Sequence, residues 1–186
     1  YIKNPYGNTK YIIERILVDL AKSDNRWSIR IARYFNPISN HSSGLIKENP
    51  KGTPNNLVPC IIKVAQKKLP VLKIFGKNYK TKDGTGVRDY IHVMDLADGH
   101  VAMIKNNRLK RGLKVYNFGT GKGSSVLEMI KLFEKYTGIV ISFKVTKRRK
   151  GDVAESFCSA NKAIKELNWK YRYDLKQAMM DIKKIL

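Results

Sequence analysis

Acidic side chains are scarce in this sequence: 15 Asp and Glu stand against 37 Lys and Arg, leaving a formal net charge of +22. Such a field attracts phosphates, nucleic acid or anionic membrane. The lysines are nevertheless scattered over every segment, and the one dense run is Lys147-Arg148-Arg149-Lys150. No RNA-recognition, helix-turn-helix or zinc-finger pattern accompanies it. Lys, Asn and Ile are abundant together, as in products of genomes rich in A and T, which accounts for a solvated basic surface without a specific partner. Cysteine is rarer still. Cys60 and Cys158 lie far apart without Cys-x-x-Cys spacing, which argues against a disulfide scaffold or a structural zinc and makes a reduced, cytoplasmic setting the expectation. His41, His92 and His100 show no metal-ligand spacing with another His, Cys or carboxylate, so they read as structural and no metal is expected. No run of about eighteen apolar residues marks a membrane span, and no charged-then-apolar opening marks a signal peptide.

What is present is enough for one core. A chain of 186 residues with 42% hydrophobic content is too short for two full domains. Asn4-Pro5 reads as a cap followed by Pro in the first turn, and Ile13, Ile16, Leu17 and Leu20 recur at helical spacing, so a helix is predicted over about 5–22. Ile29 and Ile31 alternate with more polar neighbours in a strand that runs to Phe35 and ends at Asn36-Pro37. Positions 37–55, rich in Pro, Gly, Ser and Asn, read as a long functional loop. Further helices are predicted at 57–68, from an Asp95 cap to about 106, from a Ser124 or Ser125 cap to Gly138, at 161–167 and at 175–185. Strands are predicted at 71–75, 90–93, 115–118 and 140–145. The alternation gives an α/β class.

Tyr6 and Lys10 fit Tyr-x-x-x-Lys, which places both side chains on one helix face. In so lysine-rich a chain about one such match is expected by chance, so the motif gains weight only from the residues downstream of it. Arg33-Tyr34-Phe35-Asn36-Pro37, Pro54-Asn55-Asn56-Leu57, the run from Asp83-Gly84-Thr85-Gly86-Val87-Arg88-Asp89-Tyr90 to His100, and Arg148-Arg149-Lys150-Gly151-Asp152 come in one order. Together they resemble the UDP-glucose 4-epimerases (UDP-galactose 4-epimerases), a family of the extended short-chain dehydrogenase/reductase superfamily, over nearly the whole chain. The decarboxylases and 4,6-dehydratases that share Tyr-x-x-x-Lys are disfavoured by Pro54-Asn55-Asn56-Leu57 and the long Arg88 run.

The resemblance implies a fold: the end of a Rossmann-type NAD domain, with the catalytic helix and a following strand in 1–36, and a smaller α/β UDP-sugar domain, mainly 37–186, from which some segments return to the Rossmann sheet. That family opens with a Gly-x-x-Gly-x-x-Gly turn. Here Gly119-Thr120-Gly121-Lys122-Gly123 comes late and lacks the spacing, so the chain reads as the C-terminal half of such an enzyme and is expected to be inactive alone. The implied activity of the longer protein is NAD-dependent interconversion of UDP-glucose and UDP-galactose at C4, through a 4-keto intermediate. Tyr6 would be the base, and Lys10 would lower its pKa and hold the nicotinamide ribose. By the same resemblance Asn36, Asn56 and Leu57 contact the sugar and diphosphate region, Lys73, Ile74, Phe75 and Val126 flank the uracil, and Arg88 and Arg149 clamp the diphosphate with Tyr90 beside them. Asp152 takes the uridine ribose. Phe35 lies near the nicotinamide or packs in the core. Ser156, small where other epimerases carry a tyrosine, either leaves room for an N-acetyl group, extending the range to UDP-GlcNAc and UDP-GalNAc, or merely starts a strand. Homodimerisation through the catalytic helix is implied as well. Lys47, Lys82 and Lys150 depart from the family pattern, as does Ser39-Asn40 after Asn-Pro. The alternative is a catalytically dead epimerase-like module that binds nucleic acid or another polyanion through its basic surface.

Overall fold

The computed structural model describes residues 4–48, 50, 52, 54–106 and 111–186; the expected 37–55 loop lies partly outside the described residues. The order is α1 (Pro5–Ser23), β1 (Ser28–Tyr34), β2 (Asn36–Ile38), α2 (Leu57–Ala65), β3 (Leu72–Phe75), β4 (Val87–His92), α3 (Val93–Lys105) and β5 (Gly112–Phe118). Then come β6 (Gly123–Ser125), α4 (Val126–Thr137), β7 (Phe143–Thr146), β8 (Glu155–Ser156), α5 (Asn161–Leu167) and α6 (Leu175–Lys183). The α/β class expected from the alternation is the class observed. No helix among the described residues is long and apolar enough to cross a membrane.

β1 and β5 pair in parallel from Ser28↔Gly112 to Tyr34↔Phe118, so residues 112–118 return beside the strand that follows α1. At Phe35 the chain changes partner. Phe35 N–H still donates to Phe118 O at 3.1 Å, but Asn36–Ile38 pairs in parallel with Tyr90–His92. Asn36-Pro37 therefore starts a strand where the sequence suggested an end. Its proline is tolerated because β2 is an edge of the four-stranded sheet, where a missing N–H leaves no ladder partner unmet. β4 is the hub of this sheet, flanked by β2, antiparallel β6 and parallel β8.

Because side chains alternate along a strand, β4 feeds two cores at once. Tyr90 packs with Ile38, Ile74, Met129, Phe133 and Met179, whereas Ile91 packs with Leu96, Tyr116, Phe118 and Trp169. Each large apolar side chain fully buried in these clusters contributes roughly 1.5–3 kcal/mol. α3 lies so close to β5 that a Cβ on Gly99 would come within 2.5 Å of the Phe118 ring.

Several local expectations change. The α3 cap is His92, whose Nδ1 accepts the Met94 N–H at 3.1 Å; Asp95 sits buried in the first turn, its carboxylate accepting the Arg172 and Tyr173 N–H groups at 2.8 and 3.0 Å. The strand expected at 90–93 begins at Val87 and takes in Arg88, and Val93 opens α3. The strand expected at 140–145 begins at Phe143, and β6 was not foreseen, being too short for any periodicity to show. The α4 cap is Ser125, in a full capping box with Glu128, and Gly138 ends the helix at φ +81°.

Candidate functional site

A cleft of about 140 Å³ opens where these elements meet. β2 supplies Asn36, the start of α2 supplies Asn56 and Leu57, and β3 supplies Lys73, Ile74 and Phe75. β4 adds Arg88 and Tyr90, α4 begins on the cleft at Val126, and the segment after β7 contributes Arg149 and Asp152. Residues spread from position 36 to 152 are thus drawn together by the pairing of β2 with β4 and of β3 with β7.

The cleft is built to receive an anion. Lys73, Arg88 and Arg149 outnumber its one carboxylate, Asp152. Arg149 lies over the Phe75 ring at 4.5 Å and donates through Nε to Asp152 at 3.1 Å, so an aromatic face and a carboxylate set the direction of its fork. Arg88 donates through Nη1 to Val87 O at 2.8 Å. The two helix starts on the cleft differ. In α4 the Ser125 hydroxyl accepts the Glu128 N–H at 3.1 Å, whereas Asn56 at the start of α2 makes no side-chain cap hydrogen bond. Among the described residues the start of α2 thus carries no side-chain cap, and a helix start of this kind favours an anion. Burial pushes the Tyr90 hydroxyl up strongly, against a weaker downward pull from Arg88, and keeps it a neutral donor. Burial likewise raises the Cys60 thiol, against the opposing charges of Arg149 and Lys63, and its sulfur donates to Pro54 O at 3.1 Å.

Beneath β4, Asp89 is wholly buried, and its oxygens accept from the Thr120 N–H and hydroxyl at 2.9 and 2.7 Å, from Gly121 N–H at 2.9 Å and from Cys158 N–H at 3.3 Å. The glycine turn at 119–123 is thereby tied to the strand that carries Arg88. Cys158 is an inert thiol, pushed up to about 12 by burial first and then by Asp89.

Four predicted residues lie off the cleft lining. Tyr6 and Lys10 share one face of α1, with the Lys10 ammonium 5.3 Å from the Tyr6 ring centroid and Tyr6 73% exposed. Phe35 packs against the Ile91 cluster. Ser156 pairs with Arg88 in the β8–β4 register. Asn55, Cys60, Leu72, Tyr79 and Gly86 line the cleft without having been singled out. Asn55 adjoins Asn56, and Leu72 is in phase with Ile74, so both had a signal in the sequence. Tyr79, four residues past β3 in a turn, had none. Of the histidines, His92 is buried and capping, His100 accepts from or donates to the Tyr34 hydroxyl at 2.8 Å, and His41 bonds Ser43 at 2.8 Å.

Residues 1–119 match the NAD dependent epimerase/dehydratase family. Among curated proteins the chain is 51% identical over 179 residues to a UDP-glucose 4-epimerase of Cyamopsis tetragonoloba, covering 96% of this chain and 51% of that protein. It is 50% identical over 178 residues to the UDP-glucose 4-epimerase of Bacillus subtilis, covering 96% of this chain and 52% of that one. Among solved structures, the UDP-glucose 4-epimerase of Bifidobacterium longum in complex with NAD+ and UDP superposes with a TM-score of 0.95 at 47% identity, over 98% of this chain and 54% of that chain. The Stenotrophomonas maltophila enzyme with bound NAD and formylated UDP-arabinopyranose gives 0.94 at 47% identity, over 100% and 55%. The chain spans about half the length of the curated relatives it matches.

Proposed function

The chain belongs to the NAD dependent epimerase/dehydratase family, and we propose that it supplies the UDP-sugar cleft and the tyrosine–lysine pair of a UDP-glucose 4-epimerase. Residues 1–36, with β5 returning beside β1, are assigned to the NAD-binding part and most of 37–186 to the sugar-nucleotide part. The observation that carries this reading is the convergence of Lys73, Arg88 and Arg149 on the uncapped start of α2, beside the apolar wall of Ile74, Phe75 and Val126. A diphosphate flanked by a flat base suits that surface, because bidentate guanidinium groups and helix N–H groups both seek phosphate oxygens.

The face of α1 fits the nicotinamide end of NAD. α1 buries none of its residues, so Tyr6 and Lys10 stand open on it. NAD held there would supply a reversible hydride acceptor for C4 of the hexose. Tyr6 removes the proton of the 4-hydroxyl as the hydride leaves and gives it back as the alcohol re-forms, while the Lys10 ammonium favours the phenolate and holds the ribose hydroxyls. Phe35, next to β1, borders that end. Asn36 and Asn56 orient the sugar and diphosphate, and Asp152 receives the uridine ribose hydroxyls.

Ser156 sets the sugar range. Its backbone is paired to Arg88, next to the clamp, and the reading that its small side chain admits a C2 N-acetyl group extends the substrates to UDP-GlcNAc and UDP-GalNAc. The apolar face of α1 formed by Ile12, Ile13 and Ile16 suits a homodimer contact, and the protein works in the cytoplasm. Polyanion binding is weak and blind to sequence, because the basic residues are scattered along the chain and the one dense run is Lys147-Arg148-Arg149-Lys150.

Calorimetric titration of UDP into the protein in its natural form, with an epimerisation assay beside it, tests this reading. Micromolar or tighter UDP binding with turnover is expected. Nucleic-acid affinity that exceeds UDP affinity and collapses with salt would overturn it. The 186 residues alone contain no Gly-x-x-Gly-x-x-Gly turn to receive a pyrophosphate, and they are expected neither to hold NAD tightly nor to turn over.

A further inference from the structure

Arg148 and Arg149 are neighbours in sequence but are held differently. Arg149 lines the cleft; its Nε is spent on Asp152, which leaves its two Nη atoms without a protein partner among the described residues. Arg148 does not line the cleft. Its Nε donates to Asn78 Oδ1 at 2.6 Å, an Nη donates to the Asn78 carbonyl, and its guanidinium lies 4.0 Å from the centroid of the Tyr79 ring, a ring that does line the cleft. The backbone makes room for this grip. Gly76, which donates to Thr146 O at 2.9 Å where β3 and β7 part, holds φ +91°, and a Cβ there would come within 2.6 Å of Arg148 Cγ and 2.9 Å of Tyr79 Cε2.

From this arrangement we propose that Arg148 is a positioning residue for nucleotide binding: it pins the strap 147–152 to the 76–79 turn so that Arg149 presents its Nη atoms to the diphosphate. The inference rests on the UDP-binding function proposed for the cleft. β7 ends at Thr146, and β3 ends at Phe75, so nothing in the ladder fixes the strap beyond that point. The grip of Arg148 on Asn78 and Tyr79 ties the strap to the turn after β3, beside the contact of Arg149 with the Phe75 ring. Two fork hydrogen bonds and a ring face define a direction, which a point charge on a flexible stem does not.

The test is calorimetric titration of UDP, with kcat and KM for UDP-galactose, on the natural-length protein and three changes. Arg148→Ala is expected to weaken UDP binding by about tenfold with kcat nearly unchanged, since the strap that carries Arg149 loses its tie to the 76–79 turn but no reacting atom is touched. Arg148→Lys keeps the charge and loses the fork and the stack, and is expected to recover little of that loss. In an Arg149→Ala background, Arg148→Ala is expected to add less than about twofold, because its effect passes through Arg149. Three results would overturn the inference: UDP affinity of Arg148→Ala within about twofold of wild type, full recovery by lysine, or the same loss with and without Arg149. If Arg148→Ala melts early, Arg148→Met, which keeps an apolar stem but neither the fork nor the charge, is judged by the same criteria. A wild-type protein that fails to bind UDP would sink the functional reading itself, which separates the two failures.

Discussion

The Asp89 carboxylate and Thr120 tie β4 to the turn after β5: Oδ1 accepts the Thr120 N–H at 2.9 Å and the Thr120 hydroxyl at 2.7 Å across 31 positions. The strand that carries Arg88 and Tyr90 is held by its intervening residue to the turn after β5. Asp89→Ala would leave the N–H groups of Thr120, Gly121 and Cys158 without their acceptor in a buried place. Losses of this kind cost about 3–5 kcal/mol together. A urea unfolding midpoint well below wild type is expected, with Asp89→Asn intermediate because one oxygen is kept; a midpoint unchanged in Asp89→Ala would show that the carboxylate does not tie the strands.

Arg88 and Tyr6 are expected to separate binding from chemistry. Arg88→Ala removes a charge-assisted contact from the cleft and should weaken UDP binding by roughly 1.5–3 kcal/mol. Tyr6→Phe leaves the cleft untouched and should lower turnover by a factor on the order of 10² to 10⁴ with UDP affinity unchanged. Calorimetry and steady-state kinetics on both variants check the split, and a Tyr6→Phe enzyme with wild-type kcat would remove Tyr6 from the base role.

The cleft was legible because its residues occur in short, rare words whose order survives in one chain. Asn36, Asn56, Arg88, Arg149 and Asp152 could each be picked out before any element was placed. Partner choice between strands was not legible. β2 has three residues and β8 has two, too few for alternation to register, yet both dock on β4 and bring Asn36 and Ser156 to it. The His92 cap escaped for a related reason. Asp95 has the commoner capping side chain, but the packing of 172–173 against α3 claims its carboxylate, and the imidazole takes the vacant N–H. Tyr79 and Arg148 meet only after β3 and β7 pair, so neither carries a local signal.

Acid should loosen the core before it reaches ordinary carboxylate range. His92 Nδ1 accepts the Met94 N–H, so the ring proton sits on Nε2, 3.4 Å from Asp181, with Tyr173 stacked at 4.5 Å. Burial lowers the His92 pKa below 6.5, against the opposing pull of Asp181 and Asp95. A folded pKa below the unfolded one means that this stabilisation is complete above about pH 6.5 and is lost as pH falls through that region. Burial acts to raise Asp181, but hydrogen bonds from Lys184 and Gln177 and the nearby charges outweigh it, so its pKa lies below 3.8 and its contribution goes at still lower pH. Asp95, raised above 3.8 by burial, opposes this trend in its own range. The expected result is a urea midpoint that declines from pH 7.5 to 5.5. His92→Asn, whose side chain can still cap α3, should flatten that decline; an equally steep decline in the variant would place the titration elsewhere.

Ser156 offers a test of substrate range that leaves the rest of the cleft alone. β8 holds it opposite Arg88, and it stands apart from the lining of the cleft; the substitution tests whether it borders the C2 substituent, as proposed. A tyrosine ring at this position would then fill the room that substituent needs. Overpacking of about 1–3 kcal/mol acts on the N-acetyl sugar and not on its hydroxyl counterpart, so the change falls on one pair of substrates. Wild type is expected to interconvert UDP-GlcNAc and UDP-GalNAc as well as UDP-glucose and UDP-galactose. Ser156→Tyr should lower kcat/KM for the N-acetyl pair by about 5- to 150-fold while changing the other pair by less than about threefold. Assays of both pairs on both proteins decide it: equal losses on the two pairs would mark Ser156 as a packing residue of the β8–β4 ladder, and a wild type unable to use UDP-GalNAc would remove the gate altogether.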